Sequence, residues 1–113
     1  MMGEEHIMKR IYIAGPYTQG DQAQNVRRAI DAAEAVMQAG FAPYVPHMSH
    51  FHHMIHAHFY EMWMRIGKVW LMQCDAVLRL AGLSPGADRE VALARKLGIP
   101  VFYSVSELVE AMR

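Results

Sequence analysis

Arg10-Ile-Tyr-Ile-Ala-Gly-Pro-Tyr-Thr-Gln-Gly20 is the stretch on which the fold turns. Its first five residues form a short apolar run, and Gly15-Pro16 stops it, so the run reads as a buried strand that delivers the chain into a turn. Outward from there, 25–38 carries Val26, Ala29, Ile30, Ala33, Val36 and Met37 at helical spacing, and Gly40 closes that helix. Phe41-Ala-Pro-Tyr-Val45 is a second strand, placed at a sheet edge because Pro43 has no N–H to give a ladder. Residues 47–58 read as irregular. A helix follows over 59–73, with Met62, Ile66, Val69 and Trp70 on one face. Then come a strand over 74–80, a loop from Gly82 to Gly86, a helix from Ala87 to Leu97 closed by Gly98, and a strand over 99–103. Ser106 is the expected cap of a last short helix ending at Met112.

Strands that alternate with helices imply βαβ crossovers, hence a parallel sheet with helices on both faces. The expected architecture is α/β: a flavodoxin-like, doubly wound parallel sheet of four to five strands in the order 2-1-3-4. The expected extent is a single domain over 9–113 after a leader over 1–8. In such a sheet ligands sit beyond the carboxyl ends of the strands, where the strand order reverses between strands 1 and 3. That brings two loops together, Gly15–Gly20 and Gly82–Ala87.

Composition removes several function classes. Eleven Lys and Arg balance eleven Asp and Glu. No basic field exists to hold nucleic acid through its phosphates. No run approaches the ~20 apolar residues that span a bilayer, and the first residues, with Glu4 and Glu5, do not form a secretory signal. The single cysteine, Cys74, has no internal disulfide partner, as suits a reducing compartment. A cytoplasmic protein is expected, with neither a nucleic-acid nor a membrane partner. A chain near charge neutrality lacks self-repulsion, which favours self-association.

The two loops offer little chemistry when read singly. In the first, Gly15 permits close backbone approach. Thr18 is a donor, and the helix start beyond it offers free N–H groups to an anion, with Arg27 and Arg28 further along. An ordinary strand-to-helix turn with solvent-facing arginines explains the same residues. In the second, Ser84 and Gly86 stand at a helix start, and Glu90 falls one turn in. That carboxylate either complements the helix dipole together with Asp88 or faces the cleft as a reacting group. His47, His50, His52, His53, His56 and His58 crowd twelve residues. His52 and His56 would share a helical face as zinc ligands often do, but no cysteine or carboxylate accompanies them and no H-E-x-x-H pattern occurs. A plain polar surface loop explains the stretch equally well. Phe59, Met62, Trp63, Met64, Ile66 and Trp70 wrap too far around their helix for one core face. They read as core with scattered exposure or as a subunit interface.

Taken in order, Tyr12-Ile-Ala-Gly-Pro-Tyr17, Cys74-Asp-Ala-Val-Leu78, Ser84-x-Gly-Ala-x-x-Glu90-x-x-x-Ala94 and Gly98-Ile-Pro-Val101 resemble the nucleoside 2-deoxyribosyltransferase-like superfamily. That group includes nucleoside 5′-monophosphate N-glycosidases and small uncharacterised bacterial and phage proteins, and the last set is the most similar. The resemblance runs from Lys9 to Arg113. It implies cleavage of the bond between a sugar and a nucleobase, with Glu90 attacking the anomeric carbon and Tyr12 positioning it. The covalent sugar intermediate would then be resolved by water or another base. Ser84 matches a serine that contacts the 5′-phosphate in the monophosphate enzymes, and the histidine stretch matches a variable loop over the base pocket. The related enzymes are oligomers with shared active sites, which favours the interface reading of the aromatic stripe.

One position departs from the pattern. The active relatives carry an aspartate eight residues ahead of the one that opens strand 3. Counting back from Asp75 lands on Gly67, which also weakens its helix by up to ~1 kcal/mol relative to alanine. Asp75 itself lies at the wrong end of its strand, and Glu61 is two turns too early.

The resulting expectation is N-glycosidic cleavage or deoxyribosyl transfer on a nucleoside or nucleoside monophosphate. Glu90 and Tyr12 are the catalytic pair. Gly15, Pro16, Tyr17, Thr18, Ser84, Gly86 and His47 frame the substrate. No metal or cofactor is called for, and a homodimer or higher homo-oligomer is expected. The rival is a nucleotide-binding or sensing module without catalysis, which Gly67 favours.

Overall fold

The computed structural model describes residues 7–113. The expected leader lies outside these residues up to position 6; Ile7 and Met8 precede the first strand and are exposed. The elements in chain order are β1 (Arg10–Ala14), α1 (Gln22–Gln38), β2 (Ala42–Tyr44), a 3-10 turn (Pro46–Met48), α2 (Ser49–Ile55), α3 (Tyr60–Leu71), β3 (Ala76–Arg79), α4 (Pro85–Lys96), β4 (Val101–Phe102) and α5 (Val105–Met112). All strands pair in parallel, in the order β2-β1-β3-β4. Tyr12 stands level with Tyr44 on one side and Val77 on the other. The edge position of β2 follows from Pro43, as the missing N–H requires.

The two-residue period of a strand sorts the core into two layers. Ile11 and Ile13 of β1, with Ala76 and Leu78 of β3, pack against Ala29 and Val36 of α1 and Leu108 of α5. The intervening residues, Tyr12, Ala14 and Val77, face the other way, onto Leu71 of α3 and Ala87 and Ala94 of α4. Tyr12 therefore stands on the α3–α4 side of the sheet, fully buried.

Several local expectations are corrected. Helix α1 begins three residues earlier than expected, because the Asp21 side chain accepts from Gln24 N and caps it. Ile30 and Met37 are exposed, and Asn25 is buried in their stead. Its amide donates to the carbonyls of Tyr17 and Gln19, so a polar residue occupies the inner face to tie down the first loop. Residues 47–58 are not irregular throughout: they form the 3-10 turn and α2. Ser104, not Ser106, caps α5, accepting from Glu107 N. Helix α4 starts at Pro85, with Ser84 as its cap.

The largest correction concerns α3. Met62, Ile66, Val69 and Trp70 are exposed, and the buried residues are Gly67 and Leu71. The inner face of this helix is marked by a missing side chain, because a tyrosine hydroxyl and a carboxylate fill the space where one would stand. No helix among the described residues is long and apolar enough to cross a membrane.

Candidate active site

A cavity of about 620 Å³ opens where β1 and β3 end, a volume that suits a small-molecule site. Its walls come from the first loop (Gly15, Tyr17, Thr18, Gln19), from 44–49 with His52, from α3 and from the start of α4. The cavity thus lies at the switch point between strands 1 and 3, where a sheet of this order leaves a crevice.

Tyr12 and Glu90, 78 positions apart, meet there: the tyrosine hydroxyl donates to Glu90 Oε2. The strand period turns Tyr12 toward α4, and Glu90 sits nearly two turns beyond the Ser84 cap, on the helix face that packs on the sheet. Glu90 is 8% exposed. Burial pushes its pKa up to about 7; the bond from Tyr12 and the charges of Arg79 and Arg89 oppose that rise without cancelling it. Burial and the neighbouring carboxylate push the Tyr12 hydroxyl the same way, so it remains a donor. Oε1 of Glu90 makes no hydrogen bond among the described residues, and the residue lines the cavity. A carboxylate with one oxygen anchored and the other free, poised near neutrality, is equipped to act as a nucleophile or to exchange a proton.

Gly67 faces this pair. A Cβ there would lie 2.7 Å from Tyr12 Oη and 3.5 Å from Glu90 Oε2. The position at which the resemblance implies an aspartate is therefore beside the Tyr12–Glu90 pair, and here the tyrosine hydroxyl leaves no room for a side chain. The two carboxylates weighed as substitutes are engaged elsewhere. Asp75 accepts from Arg10 N, 2.7 Å away, and Glu61 forms a two-point pair with Arg89.

This contact makes a prediction. Gly67→Ala should destabilise the protein by roughly 1–3 kcal/mol through overpacking, outweighing the ~1 kcal/mol that alanine adds in a helix. In a Tyr12→Phe background the obstructing oxygen is gone and the nearest ring carbon, Cζ, is 3.9 Å away. There the same change should be neutral or stabilising. Urea unfolding of the four proteins measures the coupling; equal effects of Gly67→Ala in both backgrounds would reject the contact.

The remaining expected residues divide. Tyr17 hydrogen-bonds His50 Nδ1 at 2.9 Å and lines the cavity with Thr18. Ser84 is buried and its hydroxyl caps Ala87 N. Gly86 lines the cavity in the first turn of α4. Gly15 lines it as well, but the room freed by its missing Cβ is taken by Leu80, whose Cβ would be 2.9 Å away. Pro16 is buried outside the cavity lining and fits against Gly82, where an added Cβ would meet its ring at 2.9 Å. It joins the two loops. His47 lines the cavity and is 5% exposed, and its Nε2 lies 3.2 and 3.0 Å from the carbonyls of Gly15 and Pro16. Only a protonated Nε2 can donate to those carbonyls, and burial lowers the ring's pKa, so the neutral ring keeps its lone pair on Nδ1.

Arg27 and Arg28 do not reach the cavity: the first pairs with Asp31 and the second donates to the Ala81 carbonyl. Around Trp63, His52, His53 and His58 pack edge-on with centroids 5.0–6.0 Å away. Trp63 Nε1 donates to His53 Nδ1 at 2.9 Å. The histidine stretch is thus bound to an aromatic wall of the cavity, and among the described residues no three potential ligands are grouped to share a metal ion. Tyr44, stacked on Trp70 with centroids 5.6 Å apart, extends that wall.

Sequence reasoning missed Arg79, Asn25 and Tyr60. Arg79 is 9% exposed, donates to the carbonyls of Leu80 and Gly82 and pairs with Asp88 at 2.9 Å. An arginine ending a strand and an asparagine on an apolar helix face were the available signals for the first two. Tyr60 gave none beyond its place within the stripe.

The fold has solved counterparts. A 2-deoxyribosyltransferase from the psychrotolerant bacterium Bacillus psychrosaccharolyticus superposes with a TM-score of 0.65 at 16% identity, over 81% of this chain and 69% of that one. A conserved protein from Enterococcus faecalis V583 gives 0.63 at 23% identity, over 84% and 62%. At such identities the likeness is one of fold. No curated protein matches the chain. Residues 9–104 match the model of a family described as a domain of unknown function, DUF7768, and the chain belongs to that family.

Proposed function

We propose that this protein cleaves or transfers the N-glycosidic bond of a nucleoside, with Glu90 as nucleophile and Tyr12 as its positioning residue. The observation that carries the reading is the buried Tyr12–Glu90 pair, which presents a free carboxylate oxygen to a cavity at the switch point. In the first step a Glu90 oxygen bonds to the anomeric carbon as the bond to the base breaks, and the departing nitrogen takes a proton from solvent. In the second, water or an acceptor base attacks the same carbon and frees the carboxylate, the retaining scheme. Thr18, Ser84 and Gly86 frame the sugar, and Tyr17 and His47 flank it. The fold shared with a 2-deoxyribosyltransferase supports this reading.

Gly67 favours a second one, a nucleotide-binding or sensing module without turnover. One experiment separates them: nucleosides are incubated with the protein and with Glu90→Gln, and free base is measured beside ligand-induced thermal stabilisation. Base released only by the unsubstituted protein supports the enzyme. Stabilisation without release supports the binder.

Self-association belongs to the same reading. Met54, Ile55 and Phe59 are 70%, 78% and 91% exposed on and just after α2, apolar side chains that an interface between copies would cover. Light scattering at tens of micromolar should report a dimer or larger. The double variant Ile55→Glu, Phe59→Glu should be monomeric, and a monomeric unsubstituted protein would reject this part.

A further inference from the structure

The first turn of α4 is the natural seat for an anion beside Glu90, yet little of it is free. Pro85 has no N–H, Ala87 N donates to Ser84 Oγ at 3.1 Å, and Asp88 N donates to the Ser84 carbonyl at 3.0 Å. Gly86 N–H remains, and Tyr60 of α3 covers that residue. A Cβ built on Gly86 would lie 2.2 Å from Tyr60 Oη and 3.6 Å from Met64 Sδ. A side chain at 86 would displace the Tyr60 hydroxyl, so the glycine and the tyrosine are fitted to one another across the two helices.

We propose that Tyr60 closes the first turn of α4 to phosphate, so that the cavity accepts a nucleoside with a free 5′ hydroxyl and discriminates against its 5′-monophosphate. This deepens the proposed function and rests on it. Charge supports the same conclusion independently. None of the eleven Lys and Arg lines the cavity. Of the arginines that flank the two loops, Arg28, Arg79 and Arg89 each donate to another partner, and Arg27 stands in solvent beside Asp31 on α1. The start of α1 carries the Asp21 carboxylate as its cap. A phosphate brings a charge of roughly −1.5 to −2. With no lysine or arginine in the lining to neutralise it, that charge would sit near Glu90 and favour the protonated carboxyl, the wrong form for a nucleophile. An uncharged 5′ end has no such conflict and can share hydrogen bonds with the hydroxyls of Tyr60 and Ser84.

The test compares matched nucleoside and 5′-monophosphate pairs by titration calorimetry in the Glu90→Gln protein, where turnover does not interfere. The expected result is binding of the nucleoside at least tenfold tighter than its monophosphate. Tyr60→Ala should narrow that preference to within about threefold. Tyr60→Phe, which removes only the oxygen lying on Gly86, should narrow it part of the way, and circular dichroism checks that both variants are folded. Equal or tighter binding of the monophosphate would overturn the proposal while leaving the nucleoside reading intact. An unchanged preference in both Tyr60 variants would overturn the role of Tyr60. If neither ligand binds, the proposed function fails and this inference fails with it.

Discussion

Glu90→Gln should abolish base release while leaving nucleoside binding in place. The amide keeps the shape of the carboxylate and can still accept the Tyr12 hydroxyl, so the cavity walls are preserved. It cannot form the ester to the anomeric carbon, so turnover should fall on the order of a thousandfold or more, the scale on which removal of a reacting group is felt. Single-turnover measurement of free base checks the rate, and calorimetry checks binding. The pH profile adds a second reading. A nucleophile must be ionised, and burial holds Glu90 near pKa 7. In the unsubstituted protein kcat/KM should therefore rise through about pH 7 and level off above it. Full turnover in Glu90→Gln, or a profile that is flat from pH 5 to 8, would remove Glu90 from the reaction.

The same buried carboxyl should make the protein less stable than its glutamine variant at alkaline pH, whatever the protein's reaction. Glu90 is raised from 4.5 to about 7 in the folded state. The native protein thus keeps a proton that the unfolded chain has released, and stability falls as pH climbs from 4.5 to about 7, then stays level. At about 1.4 kcal/mol per unit, the loss is up to roughly 3 kcal/mol. Glutamine carries no charge and has no such dependence. Urea unfolding of both proteins at pH 4.5 and pH 8 should show the variant gaining on the unsubstituted protein by that amount between the two conditions. Parallel stability curves would show that Glu90 is not held in the protonated form by burial.

The candidate site was legible in outline. Its place followed from the topology: Gly15-Pro16 ends the first strand, Ser84 opens α4, and a parallel sheet with this strand order sets the two loops side by side. Glu90 and Tyr12 were named from an ordered set of motifs, and their hydrogen bond joins two residues that no local pattern links. Gly67 was recognised as a departure, but its meaning was not readable. In the sequence it is a weak point in a helix. In the structure it is the space that Tyr12 Oη occupies. The inner face of α3 was misassigned for the same reason: hydrophobic periodicity marks the faces that carry apolar side chains, and this helix turns a glycine inward and leaves Met62, Ile66, Val69 and Trp70 outside.

What the sequence determined alone was the alternation of strands and helices and the edge position of β2 through Pro43. These rest on periodicity, turn residues and a missing N–H, which are properties of neighbours along the chain. What tertiary structure alone decided was which polar groups meet across it: Tyr12 with Glu90, Tyr60 with Gly86, Arg79 with Asp88, His47 with the turn at Gly15. The Glu90 pKa belongs to this second class, because it reflects burial by several elements at once, and no segment of the chain can exclude water from a carboxylate by itself.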